Sequence, residues 1–270
     1  MGNVEQIARQ IRIDSVKMTN AAHSGHVGSM LSMAEIVAVL YDEILRVDPK
    51  NPKWEDRDRF ILSKGHAAAA VYSALAQKGF IPRDWLKLYY CDDGKLMGHI
   101  SHKVPGVEFS TGSLGHGLPV AVGMAIAARY AKSDRRVFCL ASDGDMNEGS
   151  TWEAIMFAAQ EHLSNLTLIV DYNRIQALGF SKDIENLEPL DERMRLFGWN
   201  AKVIDGHNID EVREALSTVP YSDDKPTIII AKTVKCKGID YLENTVRSHY
   251  NYVTDDKMEE VLAKLQEGEV

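Results

Sequence analysis

Val137-Phe-Cys-Leu-Ala-Ser-Asp-Gly-Asp145 and, further on, Leu166-Thr-Leu-Ile-Val-Asp-Tyr-Asn173 decide how this chain folds. Val137–Ala141 and Leu166–Val170 are short apolar runs of the kind that form fully buried strands, and Thr151 to Leu163 between them reads as a helix. Strand, helix, strand is a parallel crossover unit, so the two strands lie in one sheet and end at one edge. Asp143 and Asn173 fall just past those strand ends, where open α/β sheets bind ligands. A carboxylate, an amide oxygen and nearby main-chain carbonyls are hard donors that suit Mg²⁺ with positions left for phosphate oxygens. Gly144 lets the backbone pass close to such a group, and the following helix offers its N-terminal dipole. Taken singly, Asp143-Gly144 is equally a turn and Asn173 equally a strand-end cap.

Working outward, residues 3–20 have helical spacing at Val4, Ile7, Ile11 and Met18. A small-residue loop, Ala21 to Gly28, follows, and Ser32-Met-Ala-Glu35 reads as a capping box opening a helix through Ile36, Val39, Leu40 and Ile44. Arg59–Leu62 is a strand candidate, Ala67 to Lys78 and Leu118 to Ala131 are helices, and 91–117 is a long Gly- and His-containing segment without periodicity. Further strands are expected at Ala201–Ile204 and Thr227–Ala231, with helices at Ile209–Leu216 and 255–265. Such alternation predicts an α/β fold, a parallel sheet flanked by helices on both faces. No composition shift divides the chain, so residues 1–270 read as one domain with an N-terminal helical elaboration.

The 270 residues carry a net charge of −8, which disfavours a nucleic-acid partner. Three separated cysteines (Cys91, Cys139 and Cys236) outline neither a disulfide framework nor a zinc site. No apolar run is long enough to span a membrane, and the start lacks the basic-then-apolar pattern of a signal peptide, so a cytoplasmic location is expected. Phosphate loops of the G-x-x-x-x-G-K-[ST] type and G-x-S-x-G elbows are missing from the sequence.

Asp143-Gly-Asp-Met-Asn-Glu-Gly149 followed by Asp171-Tyr-Asn173 resembles the thiamine-diphosphate signature of Gly-Asp-Gly, a crossover and Asn. Upstream, Ser24-Gly-His-Val-Gly28, Asp58-Arg-Phe-Ile-Leu-Ser-Lys-Gly-His66, Gly98-His99 and Thr111-Gly-Ser-Leu-Gly-His-Gly117 resemble, in order, the N-terminal domain of transketolases. Glu243-Asn-Thr-Val-Arg-Ser-His249 is similar to that family's final histidine segment.

The resemblance implies a thiamine-diphosphate-binding fold in which Asp143, Asn173 and the Ile175 carbonyl hold Mg²⁺ or Ca²⁺. It implies that Gly144 and His66 touch the diphosphate, with Asn173 beside them. Gly112, Ser113 and Leu114 would line the cofactor's ring region through backbone groups. His26, His99 and His249 would surround the sugar oxygens, His249 also reaching the cofactor, and Lys235 would contact the diphosphate. Imidazole is suited to that task because its ordinary pKa lies nearest neutral pH. His23, His102, His116, His162 and His207 are assigned to surface or supporting positions, His162 as a helix-end residue. Glu148 reads either as a first-turn acid or as an interface carboxylate. Ser142 departs from the first glycine of the signature, Val27 from the usual proline, and Ser113 and His116 from Pro and Gln. These departures leave the substrate open.

Transketolases continue into a pyrimidine-binding portion that supplies the glutamate activating the cofactor and a grip for the sugar phosphate. The expected function is therefore the diphosphate-binding subunit of a split transketolase-like enzyme, moving a two-carbon ketol unit from a ketose phosphate to an aldose. Its expected partner is a C-terminal, pyrimidine-binding subunit, in a heterotetramer that leaves apolar surface on the isolated chain. A subunit of a deoxyxylulose-phosphate synthase or 2-oxo acid dehydrogenase, and a cofactor-binding subunit without turnover, remain as alternatives.

Overall fold

Side-chain alternation along the central strands sorts the core into two layers. The structure is a computed structural model and describes residues 2–268; Met1, Glu269 and Val270, the ends of the expected 1–270 unit, lie outside the described residues. From the N-terminus come α1 (Asn3–Ala21), α2 (Val27–Ser32), α3 (Ala34–Val39), β1 (Arg59–Leu62), α4 (Ala68–Lys78), α5 (Gly117–Tyr130) and β2 (Val137–Ser142). These are followed by α6 (Gly149–Gln160), β3 (Leu166–Tyr172), α7 (Ser181–Ile184), α8 (Leu190–Leu196), β4 (Asn200–Asp205), α9 (Ile209–Ser217), β5 (Thr227–Lys232) and α10 (Asp255–Glu267). Among the described residues the strands form one parallel sheet in the order β1-β2-β3-β5-β4.

Phe138, Leu140 and Ile169 point to the layer built by α1, α3 and α4, whereas Val137, Cys139, Leu168 and Val170 point to the layer of α5, α6 and α8. This is the period-2 alternation of a sheet buried on both faces. The expected fold class is the observed one. α10 packs separately, with Val261 and Leu265 against Ile13, Val16 and Leu31.

The capping box expected at Ser32–Glu35 does not form. A helix already starts at Val27, Ser32 closes it, and the Ser32 hydroxyl donates to Asp171 instead of capping. Glu35 is held by Arg12 of α1 (2.6 Å), and the run beyond α3 widens into a π-turn at Leu40–Ile44. Tertiary partners override the local motif because both side chains are buried. α6 ends at Gln160 rather than Leu163; His162 is the left-handed residue that closes it (φ 51°), its N–H donating to the Ala159 carbonyl (3.0 Å) and the Leu163 N–H to the Ala158 carbonyl (3.1 Å), while its Nδ1 meets the Asp224 carbonyl at 3.0 Å.

Burial alone would raise the Glu35 pKa, but Arg12 and a bond from His207 hold it down at about 2. A depressed carboxylate contributes stability that is full above its ordinary pKa near 4.5 and is lost as pH falls towards about 2. Glu35→Gln leaves Arg12 without its counter-charge and costs about 3 kcal/mol at pH 7. Urea unfolding across pH 2–7 should show that deficit shrinking through this acid window.

Candidate functional site

Ser142 of β2 pairs with Asp171 of β3, so the chain leaves both strands side by side and places Asp143 and Asn173 at the same sheet edge. A cavity of about 350 Å³ opens there. His26, His66, His99, Gly112, Ser113, Leu114, Asp143, Gly144, Asn173, Ile175, Lys235 and His249 all line it. Every site residue expected from the sequence is thus brought to one place.

Loop-to-loop anchors deliver these groups. His66 sits in a single 3-10 turn (Gly65–Ala67) after β1, and Gly65 is required there: a Cβ would stand 2.1 Å from the Thr111 carbonyl oxygen. The Gly65 carbonyl accepts from Ile100 N–H (3.0 Å), and Tyr72 Oη donates to the His99 carbonyl (3.2 Å), which fixes His99 on the aperiodic segment. Asp145 accepts from Gly115 N–H (2.9 Å), Ser63 Oγ (2.6 Å) and Ser142 N–H (2.9 Å), tying the Gly112–Leu114 loop to β1 and β2. The Ser142 hydroxyl also meets Asp145 (3.1 Å), so the residue that departs from the signature strengthens its turn and leaves Asp143 untouched. His26 takes a left-handed backbone (φ 73°), and its N–H donates to the His249 carbonyl (2.9 Å).

Asp171 governs the metal-side donors. Its buried carboxylate accepts from Lys64 Nζ, Ser32 Oγ, Thr233 Oγ1 and, at 3.3 Å, from Asn173 Nδ2. A carboxylate can only accept, so the Asn173 amide nitrogen must face it and Oδ1 must face away. That oxygen takes the Ile175 N–H at 3.2 Å. Burial would lift the Asp171 pKa, but the Lys64 charge and these bonds hold it below the usual carboxylate range. Asp143 is pushed up to about 6, by burial first, with a Ser181 bond opposing and the Asp171 charge adding. The Ile175 carbonyl accepts from Lys235 Nζ (2.7 Å), which also donates to His249 Nδ1 (2.9 Å) and leaves Nε2 to carry the imidazole proton.

Asp143 Oδ, Asn173 Oδ1 and Ile175 O are an all-oxygen set with one charge. Among the described residues no group of three His, Cys, Asp or Glu forms a metal cage. A set this sparse fits a hard cation that arrives with phosphate oxygens, and the Ile175 carbonyl already draws a positive group.

Four imidazoles cluster in the same cavity, joined to the oxygen set through Lys235: His26 lies 4.9 Å from His66, 5.1 Å from His249 and 6.3 Å from His99, centroid to centroid. Burial lowers His26 to about 4, with His99 and Lys235 adding, and lowers His249 to about 3, with Lys235 and His26 adding. His66 is driven well below its ordinary value, chiefly by burial. At neutral pH these three rings are uncharged; His26 and His66 each have one donor and one acceptor nitrogen, whereas His249, its Nδ1 taken by Lys235, offers the Nε2–H as a donor.

The family profile described as transketolase, thiamine diphosphate binding domain, matches residues 4–267. The chain belongs to the transketolase family. Within it, this is the thiamine-diphosphate-binding part of a transketolase-type transferase. It is 42% identical over 266 residues to a subunit of the apulose-4-phosphate transketolase of Actinobacillus succinogenes, covering 98% of this chain and 96% of that one. With the 6-deoxy-6-sulfo-D-fructose transketolase subunit SqwG of a Clostridium species it shares 39% identity, over 90% of this chain and 88% of the relative. The solved transketolase of Campylobacter jejuni superposes with a TM-score of 0.90 at 36% identity, over 98% of this chain but 42% of its own.

Residues the sequence reading missed are Ser29, Gln176, Ala177, Leu178 and Tyr250, which also line the cavity. Only spacing next to recognised residues could have flagged them. Glu148 stands exposed at the start of α6 without a capping bond, its Cβ filling the space beside Gly115.

Lys64→Met leaves the Asp171 carboxylate uncompensated and should cost about 3–5 kcal/mol of stability in urea unfolding, while adding Asp171→Asn, which removes the charge and keeps an acceptor for the remaining donors, should recover part of it.

Proposed function

We propose that the chain is the diphosphate-binding subunit of a split transketolase, transferring a two-carbon ketol unit from a ketose to an aldose acceptor. The observation that carries this reading is the shared cavity, which brings an oxygen donor set and neutral histidines together. Thiamine diphosphate, when bound, supplies the carbon nucleophile for cleavage beside a ketose carbonyl. Asp143, Asn173 and the Ile175 carbonyl hold Mg²⁺ or Ca²⁺, and Gly144, His66 and Lys235 take the diphosphate. Gly144 lines the cavity with backbone alone, which suits a close approach. Gly112, Ser113 and Leu114 border the ring region.

His26, His99 and His249 act on the sugar. Uncharged imidazoles can take a proton from a hydroxyl and return one to a forming alcohol without leaving a fixed charge in the site. With His26 held at about 4 and His249 at about 3, these rings are suited to hydrogen-bonding the sugar oxygens more than to abstracting protons, since a general base works best with a pKa near the working pH. The donor class is a ketose with an anionic terminus, in keeping with the names of the two relatives above, one a phosphate and the other a sulfonate. Pentose phosphates are the default members of that class.

A C-terminal, pyrimidine-binding subunit completes the site, in a heterotetramer of two copies of each chain. Relatives of nearly equal length are named as subunits. Tyr130 of α5, Met156 and Phe157 of α6 and the cavity-mouth Leu178 expose large apolar area that a partner would cover. Among the described residues no helix is long and apolar enough to cross a membrane, and we place the complex in the cytoplasm.

Reconstitution tests this reading. With the partner present, the chain should transfer a ketol unit in a coupled aldose assay. It should do so only with thiamine diphosphate and a divalent ion, and pyruvate should not serve as donor. Asp143→Ala should reduce turnover to that of the partner-free control while the complex still assembles by gel filtration. Full activity of the chain alone would contradict the split arrangement, and activity of Asp143→Ala would contradict the site.

A further inference from the structure

His207 lies outside the cavity and touches none of the residues assigned above to cofactor or sugar, yet its hydrogen bonds lead to one of them. It follows β4 in the turn Asp205-Gly-His207, which packs on the turn Thr233-Val-Lys235 that follows β5. Gly206 permits this approach: a Cβ would stand 2.5 Å from Thr233 Cγ2, and Gly206 N–H donates to the Lys232 carbonyl at 2.8 Å. His207 Nε2 accepts the main-chain N–H of Val234 at 2.8 Å, and Nδ1 meets Glu35 Oε2 at 3.1 Å. Glu35 is in turn clamped by both terminal nitrogens of Arg12, at 2.6 and 2.8 Å.

These partners fix the imidazole's protonation pattern. The Glu35 carboxylate accepts only, so Nδ1 must carry the proton; Val234 N–H donates only, so Nε2 must be bare. A ring so locked at both nitrogens orients what it holds, as an outer partner orients a metal-bound histidine. What it holds is the amide immediately before Lys235, whose ammonium reaches the Ile175 carbonyl and His249.

We propose that His207 is a positioning residue: through the Arg12–Glu35–His207–Val234 chain of hydrogen bonds it sets the turn that presents Lys235 to the diphosphate site. The part concerning the diphosphate rests on the function proposed above, whereas the part concerning the turn does not. The far side of His207 borders a polar cavity of about 520 Å³, so solvent can enter when the ring is removed and no dry void is left in the core.

Three measurements test this. In ¹⁵N NMR of the full chain, His207 should be neutral with its proton on Nδ1; a proton on Nε2 overturns the proposal without any variant. In hydrogen exchange, His207→Ala should speed the Val234 amide at least about tenfold while the β2 and β3 amides keep their rates. His207→Gln, whose side chain can still accept from Val234 and donate to Glu35, should restore most of the protection. Unchanged exchange in His207→Ala overturns the proposal.

The third measurement is a double-mutant cycle in the assembled complex, titrated with thiamine diphosphate and Mg²⁺. His207→Ala and Lys235→Met should each weaken affinity roughly tenfold, and together scarcely more than either alone. Multiplying effects overturn positioning through Lys235. If Lys235→Met has no effect, it is the cofactor role of Lys235 that fails, and hydrogen exchange still decides the role of His207 on the turn.

Discussion

The buried carboxylate of Asp171 is the constraint on which the site depends. It lies at the end of β3, and its partners come from α2 (Ser32), from the turn after β1 (Lys64), from the turn after β5 (Thr233) and from Asn173 two residues on. Three segments distant in sequence, and a donor two residues on, are thereby referenced to one pair of oxygens. Burying a charge is costly unless it is paired and fully bonded, and Lys64 with three further donors meets that requirement. The consequence is directional: because Asp171 only accepts, Asn173 has one orientation available, and its oxygen is presented without any ligand to organise it. A site preorganised in this way needs little rearrangement when a cation and its phosphates arrive.

Much of this was legible in the sequence. The crossover unit from Val137 to Asn173 fixed sheet, edge and candidate donors, because apolar runs of strand length with a helix between them admit few other arrangements. The histidine set was legible through ordered motifs and not through periodicity, since His66 and His249 lie in short 3-10 turns and His99 on irregular backbone. The misreadings have a common cause. Ser32 and Glu35 have cap spacing, but each is buried and answers to a distant partner, Asp171 in one case and Arg12 in the other. Local chemistry sets an element's boundary only when its polar groups lack stronger tertiary claims. His207 could be read no further than a surface or supporting residue for the same reason: its partners are Glu35 and Val234, neither of which is near it in sequence.

The electrostatics of the cavity divide into two halves with different tasks. On one wall a lysine stands close to an otherwise electron-rich edge, and burial pushes Asp143 up to about 6 and Lys235 down to about 8. Both shifts oppose charge, so an added cation with a counter-anion relieves a cost already present. Around the histidines, burial and neighbouring charge keep His26, His66 and His249 neutral, so they can hydrogen-bond hydroxyls without leaving a fixed charge in the site. Combining the two halves in one opening, beside apolar residues left for another chain to cover, is what makes the transketolase assignment chemically intelligible.

The most direct test of the central claim is a crystal structure of the assembled complex grown with Mg²⁺ and thiamine diphosphate. The account predicts a metal ion bound by Asp143 Oδ, Asn173 Oδ1 and the Ile175 carbonyl, with Lys235 Nζ displaced from that carbonyl towards the diphosphate. Density for the cofactor elsewhere, or an ion that leaves Asp143 and Asn173 uncoordinated, would contradict it.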